Sequence, residues 1–486
     1  MKNKIKMKKI KEDKRRYAAL SGEDRGQHFG GRKTNVFYLL LSSSFFLYLL
    51  LFSSCSLYQK YEAHETAPAD IMGDAVALND TTSLGAIGWR QLFTDPLLQE
   101  LIERAWANNT DVKAAQLSIE QAQNDLMAAR LGYLPTLSFE PSGTLTRFNG
   151  AGIHSYDIPL KASWQLNIFG QVTSKKRQAK ARQQLAVDYK QAVQVSLAAN
   201  VASTYYTLVM CDHELDILRQ TLTVWEQSLE SMRILYEEGL YQSPAVYRME
   251  ASLASVKSGI VELEGNILTT EAVLCRLLSE GPHHIARSSF GTFQMPEQIS
   301  VGIPLRLLSA RPDVRQAERN MEIAYYDTQQ ARQSFYPDLN INGVLGWSNG
   351  QGTVNPAQFL AEATASLVQP LFMQGKIRAR YKNAKAEQEK VRLQFVQTLL
   401  NAGNEVYRYL HDCQKAEKKA VYIADCVRAL NESYLGTREL MNYGTNTYLE
   451  VLTAQEDLLT AQITEVQNRN DGIQALINLY TALGGF

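Results

Sequence analysis

The sequence predicts a mainly α-helical protein built as a tandem repeat, in which each repeat combines a long coiled-coil helical hairpin with a β-hairpin. Three observations lead to this fold class. Segments of one half of the chain recur in the other half, apolar residues recur every three or four positions over long stretches, and four shorter segments alternate between apolar and polar residues.

The internal repeat is visible in two pairs of segments. ARLGYLPTLSF at 129–139 matches ARQSFYPDLNI at 331–341, an offset of 202 residues, and the segment around Gly239 matches the segment around Gly444. We therefore predict a first structural repeat over residues 89–286, a linker over 287–303 and a second repeat over 304–486.

The helical hairpins follow from periodicity. Residues 171–238 contain neither glycine nor proline, so we expect one helix of roughly 100 Å at 1.5 Å per residue. Apolar residues from Leu215 to Met232 are spaced by three and four, which indicates a coiled-coil seam. After a break at 239–244 the spacing resumes, which predicts an antiparallel partner helix and a tight tip. The second repeat copies this pattern, with its tip near 444–447.

The β-hairpins are predicted at 134–170 and 337–372. Residues 156–168 alternate strictly between apolar and polar side chains, and weaker alternation marks 137–145, 339–347 and 359–367. Each strand has about ten residues, the length that a tilted strand needs to cross a bilayer. The alternative is a soluble β-sandwich whose apolar face lies in a protein core.

Four strands per chain cannot close a barrel, and open edges in lipid leave backbone groups unpaired. Copies of the chain would therefore share one barrel. Two copies give eight strands and an interior filled by side chains, whereas three copies give twelve strands and room for a water-filled pore.

The N-terminal region is typical of an exported lipoprotein. The first 54 residues carry twelve Lys or Arg and four Asp or Glu, all of which precede an uncharged run at 36–52, and Ser53 and Ser54 lead directly to Cys55. We predict a signal segment over 1–54, lipidation of Cys55 and a leash over 55–88. The alternative is an uncleaved membrane anchor, although the apolar run is short for a spanning helix.

Charge and motifs argue against other functions. The chain has 50 basic and 50 acidic residues, and removal of the first 54 leaves 38 and 46, so no basic surface for nucleic acid is indicated. The four cysteines after Cys55 are widely spaced. His213 and His411 lie in predicted helices, and His283 and His284 follow a Gly-Pro turn without ligands at metal-binding spacing. We predict no enzyme activity, cofactor or metal.

Several of these segments together resemble the TolC-type outer-membrane efflux proteins, in their lipoprotein branch. The resemblance rests on DPLLQELIERAWANNTDVKAAQ at 95–116, LLSARPDVRQAE at 307–318, ARQSFYPDLNINGVLG at 331–346 and the paired tips, and it covers residues 88–485. It implies a homotrimer with a twelve-stranded outer-membrane barrel and an α-helical tunnel through the periplasm, which works with a periplasmic adaptor protein and an inner-membrane pump.

The resemblance also implies functional residues. It places a ring of acidic side chains at the closed periplasmic entrance, for which Glu450 is one candidate, whereas Thr453 and Asn446 depart from the expected acid and base. The alternative for Glu450 is a solvated carboxylate at a helix start. The adaptor would contact the tips, through the residues Gly239, Leu240, Ser243, Val246, Gly444 and Thr447.

Two other functions stay open at this point. A coiled-coil lipoprotein scaffold would explain Cys55 and the helical seams, but not the four alternating segments. A protein-secretion duct would differ from a drug-efflux duct mainly in its inner-membrane partner, and a lipid-anchored form favours efflux of small molecules.

Overall fold

The computed structural model describes residues 59–62, 88–148, 151–240, 242–291, 311–350, 356–444 and 447–485. Lys60–Phe486 cluster as one unit, and all contacts discussed below lie within it. The predicted signal segment 1–54, Cys55, most of the leash, most of the linker and Asn446 lie outside the described residues.

Each repeat contains helices and a β-hairpin in the predicted order. The first comprises α1 (Trp89–Leu92), α2 (Pro96–Asn108), α3 (Thr110–Leu131), β1 (Thr136–Phe139), β2 (Ser142–Phe148), β3 (Ala151–Leu166), α4 (Gln171–Glu237) and α5 (Ser243–Leu277). The second comprises α6 (Pro312–Gln333), β4 (Asp338–Ser348), β5 (Gln358–Val368), α7 (Lys376–Asn442) and α8 (Tyr448–Ala482). The predicted fold class is confirmed.

The longest helices, α4 and α7, have 67 residues each, or about 100 Å. Helix α4 begins at Gln171, as the sequence predicts. It packs against α5 through the predicted seam. The buried apolar residues of this seam are Leu215, Leu218, Trp225, Leu229 and Met232 on α4, and Val246, Met249, Leu253 and Val256 on α5.

Each 67-residue helix packs along two shorter helices that lie end to end. Helix α4 packs against α5 and α3, and α7 packs against α8 and α6. In both repeats the two shorter helices have 35 and 22 residues. Together they form a two-part rod nearly as long as the helix beside it.

In the first repeat, Asn109 joins the two parts of this rod. As the N-cap of α3, its side-chain oxygen accepts a hydrogen bond from the backbone N–H of Asp111 at 2.8 Å. Its side-chain nitrogen donates to the carbonyl of Leu277, the last residue of α5, at 2.9 Å. One buried amide thus satisfies a donor at the start of one helix and an acceptor at the end of the other.

In the second repeat, Arg311 occupies the equivalent position, 202 residues after Asn109. Its guanidinium donates to the carbonyl of Ala482, the last residue of α8, at 2.9 Å. It also donates to both carboxylate oxygens of Asp313, at 3.0 and 2.8 Å, and to Glu405 on α7 at 2.7 Å. The Arg311 side chain is only 8% exposed, so the RPD segment in the sequence forms a charged joint between three helices.

The charged joint affects the ionisation of Asp313. Burial alone would raise the pKa of Asp313, but the hydrogen bonds and positive charge of Arg311 outweigh burial and hold this pKa below its ordinary value. The carboxylate is therefore favoured in the folded chain.

The strands form one antiparallel sheet in the order β1-β3-β4-β5, and β2 also pairs with β3. The expected four strands are thus five, because one of them is divided at Glu140 and Pro141. Phe139 pairs with Leu160 and Ser142 with Asp157. Between these pairs, Pro141 lies near Pro159 of β3, and neither proline has an N–H to continue the ladder.

One face of the sheet carries apolar rows that run across the strands in register. These rows are Phe139–Leu160–Leu345–Ala361, Ile158–Trp347–Phe359 and Trp164–Ile341–Ala365. Their large side chains stay exposed in the chain: Leu160 by 46%, Leu345 by 51% and Phe139 by 64%. The soluble-sandwich alternative is therefore wrong, because it requires this face to be buried in a protein core.

The intervening rows are polar. Ser163, Asn342 and Thr364 lie opposite one another, and the Ser163 hydroxyl donates to the side-chain oxygen of Asn342 at 2.8 Å. The pleat thus separates an apolar face from a hydrophilic one. Among the described helices, none has an apolar stretch long enough to cross a membrane.

Replacement of Arg311 by methionine (R311M) should lower the free energy of unfolding by about 2 kcal/mol. The change removes charge-assisted hydrogen bonds but leaves two carboxylates that are half exposed, so the loss stays below that of a fully buried pair. The midpoint of urea unfolding in detergent measures it. The difference should hold above pH ~4 and shrink as the pH falls through the lowered pKa of Asp313, because protonation removes that partner.

A matched control is R428M, also on an arginine of the second repeat. Arg428 pairs with Asp425 in an exposed salt bridge, with side chains 75% and 56% exposed, so its loss should cost less than about 1 kcal/mol. Equal destabilisation by both variants would show that Arg311 is not a structural joint.

Candidate functional site: the helical tips and a polar stripe on α8

Both helical hairpins turn at a glycine with a positive φ angle. Gly239 has φ of +77° and Gly444 of +74°, a conformation that glycine adopts without steric cost. At the first tip, the N–H of Gly239 donates to the carbonyl of Tyr236 and the N–H of Leu240 to that of Leu235. These two bonds form a Schellman motif, which ends α4 sharply.

The predicted contact residues of the first tip differ in exposure. Leu240 is 71% exposed and Ser243 is half buried at the first position of α5. Val246, in contrast, is buried in the seam between α4 and α5. Val246 therefore contributes to the packing of the hairpin and not to its surface, whereas Tyr247, which sequence reasoning missed, is 68% exposed beside it.

At the second tip, Thr447 and Glu450 form a capping box at the start of α8. The Thr447 side chain accepts a hydrogen bond from the backbone N–H of Glu450, and the Glu450 carboxylate accepts one from the backbone N–H of Thr447 at 3.1 Å. This geometry gives Glu450 the structural role of a helix-start carboxylate. The side chain is exposed all the same, so its negative charge stays at the surface of the tip.

The other gate candidate in the described residues, Thr453, lies on the same face of α8 as Glu450. Its hydroxyl donates to the carbonyl of Leu449 at 3.0 Å. The exposed residues that share this face form what we call the polar stripe: Glu450, Thr453, Asp457, Thr460 and Thr464. Asp457 was missed in the sequence, because the resemblance directed attention to position 453, one turn earlier.

The two hairpins contact each other close to their tips. The Tyr448 hydroxyl of α8 lies 3.6 Å from the sulfur of Met249 on α5, and both side chains are buried. The Ser252 hydroxyl of α5 donates to the carboxylate of Glu456 on α8 at 2.7 Å. Any motion that separates the hairpins at this end must break these contacts.

Residues with catalytic potential form structural interactions elsewhere. His284 lies 2.9 Å from Glu271, whose carboxylate also pairs with the buried Arg287. Cys413 is buried, and burial raises the pKa of its thiol to about 12. The described part of the chain contains no group of three or more His, Cys, Asp or Glu side chains that could hold a metal ion.

Helices of about 100 Å that pack along shorter helices, duplicated in one chain and joined to a sheet with an exposed apolar face, are features of a membrane channel with a helical tunnel. The chain belongs to the outer membrane efflux protein family, whose family model matches residues 101–280 and 303–485. The resemblance to the TolC-type outer-membrane efflux proteins is thus confirmed, and members of this family are channel proteins.

Several relatives of known role are similar over most of the chain. The antibiotic efflux pump outer membrane protein ArpC of Pseudomonas putida is 26% identical over 458 residues, which cover 90% of this chain and 93% of ArpC. The cation efflux system protein CusC of Escherichia coli K12 is 25% identical, over 82% of this chain and 88% of CusC. The pyoverdine export outer membrane protein OpmQ of Pseudomonas aeruginosa is 27% identical, over 82% and 87%.

Solved structures show the same fold. The outer-membrane channel OprN superposes with a TM-score of 0.80 at 23% identity, over 89% of this chain and 99% of OprN. The outer membrane protein VceC of Vibrio cholerae superposes with a TM-score of 0.73 at 20% identity, over 82% and 98%.

Proposed function

We propose that this chain is the outer-membrane channel of a tripartite efflux system and that it exports small molecules through a homotrimeric pore. The observation that carries the proposal is the sheet, whose apolar rows are exposed on one face while polar rows alternate with them. In a soluble coiled-coil scaffold this apolar face would stay exposed to water, whereas in a transmembrane barrel lipid covers it.

The edges of the sheet support a shared barrel. Among the described strands, β1 and β2 pair only with β3, and β5 pairs only with β4, so both edges of this sheet keep backbone groups that no described strand pairs. Three copies, each four strands wide, would close a twelve-stranded barrel in which every edge is paired. Its width leaves an aqueous pore.

The polar stripe supports a gate at the periplasmic end. In a trimer with α8 on the inner side, three copies of Glu450 and three of Asp457 would converge towards the axis, about 10 Å apart along the helix. Like charges at close range repel unless water or cations intervene. Such rings favour cations, and Thr453 and Asn446 would add uncharged polar groups between and beside them.

The relatives support small cargo over protein secretion. By their names, ArpC serves antibiotic efflux, CusC cation efflux and OpmQ pyoverdine export. The chain is about equally similar to all three, at 25–27% identity. This favours a channel for small molecules whose cargo is selected by the inner-membrane pump.

Purified full-length protein should run as a trimer in detergent and conduct ions with a preference for cations in a planar bilayer. The double variant E450Q/D457N should lower the permeability ratio of cations to anions at least about twofold, because it removes both acidic rings. Glutamine keeps the capping box at the start of α8, so the change isolates the charge.

The control is E417Q, an exposed acid on α7 level with Asn468 of α8, beyond the Thr464 end of the polar stripe. This variant should leave selectivity unchanged. A wild-type protein that stays monomeric and does not conduct would overturn the channel proposal. Conduction with the same selectivity in both variants would refute only the gate.

The tips are the proposed contact surface for a periplasmic adaptor, which links the channel to an inner-membrane pump. Leu240, Ser243 and Thr447 would contribute, with Gly239 and Gly444 fixing the turns and the exposed rings of Tyr247 and Tyr443 supplying apolar area. A photoreactive amino acid at Leu240 should crosslink to the periplasmic adaptor in the producing cells, and one at the buried Val246 should not. Equal yields would contradict the assignment.

Cys55 is the proposed lipid attachment site, followed by the leash over 55–88. Two or three acyl chains would hold the N-terminus at the outer membrane, because each buried CH₂ contributes ~0.8 kcal/mol. Radioactive palmitate should label the wild type, and the variant C55S should lose the label. Unchanged labelling of C55S would refute the assignment, and a leader that stays attached to the wild type would favour the uncleaved anchor.

A further inference from the structure

The two longest helices both begin with a run of positive charge. Residues 175–182 (KKRQAKAR) near the start of α4 and residues 376–385 (KIRARYKNAK) at the start of α7 each contain five Lys or Arg and no Asp or Glu. Each run lies within the first 12 residues of its helix, which follows the turn that leads from a strand. The two repeats thus carry the same charge at the same level of the fold.

These runs oppose local electrostatics. The start of a helix carries partial positive charge and favours acids, yet neither helix has an acid in its first turn. Further along α7, basic residues pair with acids one turn before them, as in Lys390–Glu387, Arg392–Glu389, Lys415–Asp412 and Arg428–Asp425. Among the described residues, by contrast, no ion pair involves any of the five cations in 376–385.

Acids on the neighbouring elements are already engaged. Asp327 of α6 accepts a hydrogen bond from Gln178, and Asp338 of β4 accepts one from Gln165 at 3.3 Å. On the side of α4 that faces α6, Arg177 and Lys180 line an open cavity with Lys60 and Arg319, where Glu318 and Glu322 supply the negative charge. Beyond the second run, 376–385, the next acids along α7 are Glu387 and Glu389, and these pair with Lys390 and Arg392 instead of with the run.

Exposed apolar residues lie immediately before the second run. Leu371 is 92% exposed and Phe372 is 83% exposed, in the turn between β5 and Lys376. From strand to helix the chain therefore passes from apolar rows, through bare apolar side chains, to unpaired cations. This is the order of environments from acyl chains to phosphate headgroups at a membrane surface.

The N-terminal residues lead to the first run. The backbone N–H of Tyr61 donates to the Tyr326 hydroxyl at 3.4 Å, and the Tyr61 ring packs edge-on against Tyr325 with centroids 5.7 Å apart. Lys60 of the same segment lines the cavity beside Arg177 and Lys180. Cys55 lies five positions before Lys60 in the sequence, so the chain between them spans at most ~18 Å.

We propose that residues 175–182 and 376–385 form a basic collar that binds the phosphate headgroups of anionic phospholipids in the periplasmic leaflet of the outer membrane. The proposal rests on the membrane location in the proposed function and adds a lipid partner to it. Headgroup phosphates would add negative charge beside both basic runs and would fix the depth of the channel in the bilayer.

Native mass spectrometry of the full-length protein in neutral detergent tests the basic collar. With equal amounts of phosphatidylglycerol and phosphatidylcholine, the wild type should retain phosphatidylglycerol preferentially. The triple variant K175Q/K376Q/K382Q should lose this preference at least about tenfold, because lysines near an anionic surface each contribute to attraction. The lysine-to-arginine variant K175R/K376R/K382R should restore it.

The matched control is K113Q/K418Q/K419Q, which also removes three exposed lysines that form no ion pair in the described chain. It should bind phosphatidylglycerol as the wild type does. No lipid preference in the wild type, or equal retention by both glutamine variants, would overturn the proposal. A triple variant that fails to trimerise would also overturn it, because the collar would then be a contact between subunits. A triple variant with altered pore selectivity would overturn it as well, because the collar would then line the pore.

These outcomes are distinct from failure of the channel itself. A wild type that conducts in planar bilayers but shows no lipid preference would refute the collar alone. A wild type that neither conducts nor trimerises would refute the proposed function, whatever lipid it binds.

Discussion

A helix of about 100 Å is stable in water only if apolar partners cover one side along its whole length. This chain meets that requirement with two shorter helices placed end to end, and the arrangement depends on what happens where they meet. Helix ends carry unsatisfied carbonyls and N–H groups. Asn109 satisfies one group of each kind, whereas Arg311 donates to the last carbonyl of α8 and its partner Asp313 accepts from the N–H of Val314. Each pair of short helices thereby acts as one rod.

The joint also explains how one chain combines two environments. The β-hairpin leaves and returns between the 22-residue helix and the 67-residue helix, so the sheet is carried at one end of the rods and the tips at the other. Along β3 and β4 the apolar residues alternate and stay exposed, whereas along α4 and α5 they repeat every three or four positions and are buried. The spacing of apolar residues is thus two in the exposed strands and three or four in the buried seam of the helices.

Much of this could be predicted from local sequence. The absence of glycine and proline after Gln171 determined the length of α4, and Gly239 and Gly444 marked the tips because their positive φ angles are costly for other residues. The strict alternation in β3 predicted a two-faced sheet. Such features depend on backbone preferences and on period, which a single sequence displays directly.

The remaining features depend on distant partners. The role of Arg311 depends on Glu405 and Ala482, which are far from it in sequence. The RPD segment alone does not predict these partners. The division of β1 from β2 required Pro141 to lie near Pro159, which only the strand register reveals. Val246 fits both the tip and the apolar seam in the sequence, and its buried side chain places it in the seam. Asp457 emerged only when the exposed face of α8 was known.

The two joints have diverged in chemistry while keeping their place. A neutral amide closes the first rod, whereas a guanidinium with two carboxylates closes the second. Salt screens interactions between charges and has little effect on hydrogen bonds of a neutral amide. The stability of the two joints therefore depends differently on ionic strength. The C-terminal joint is therefore the one that salt can weaken, because its two carboxylates are half exposed.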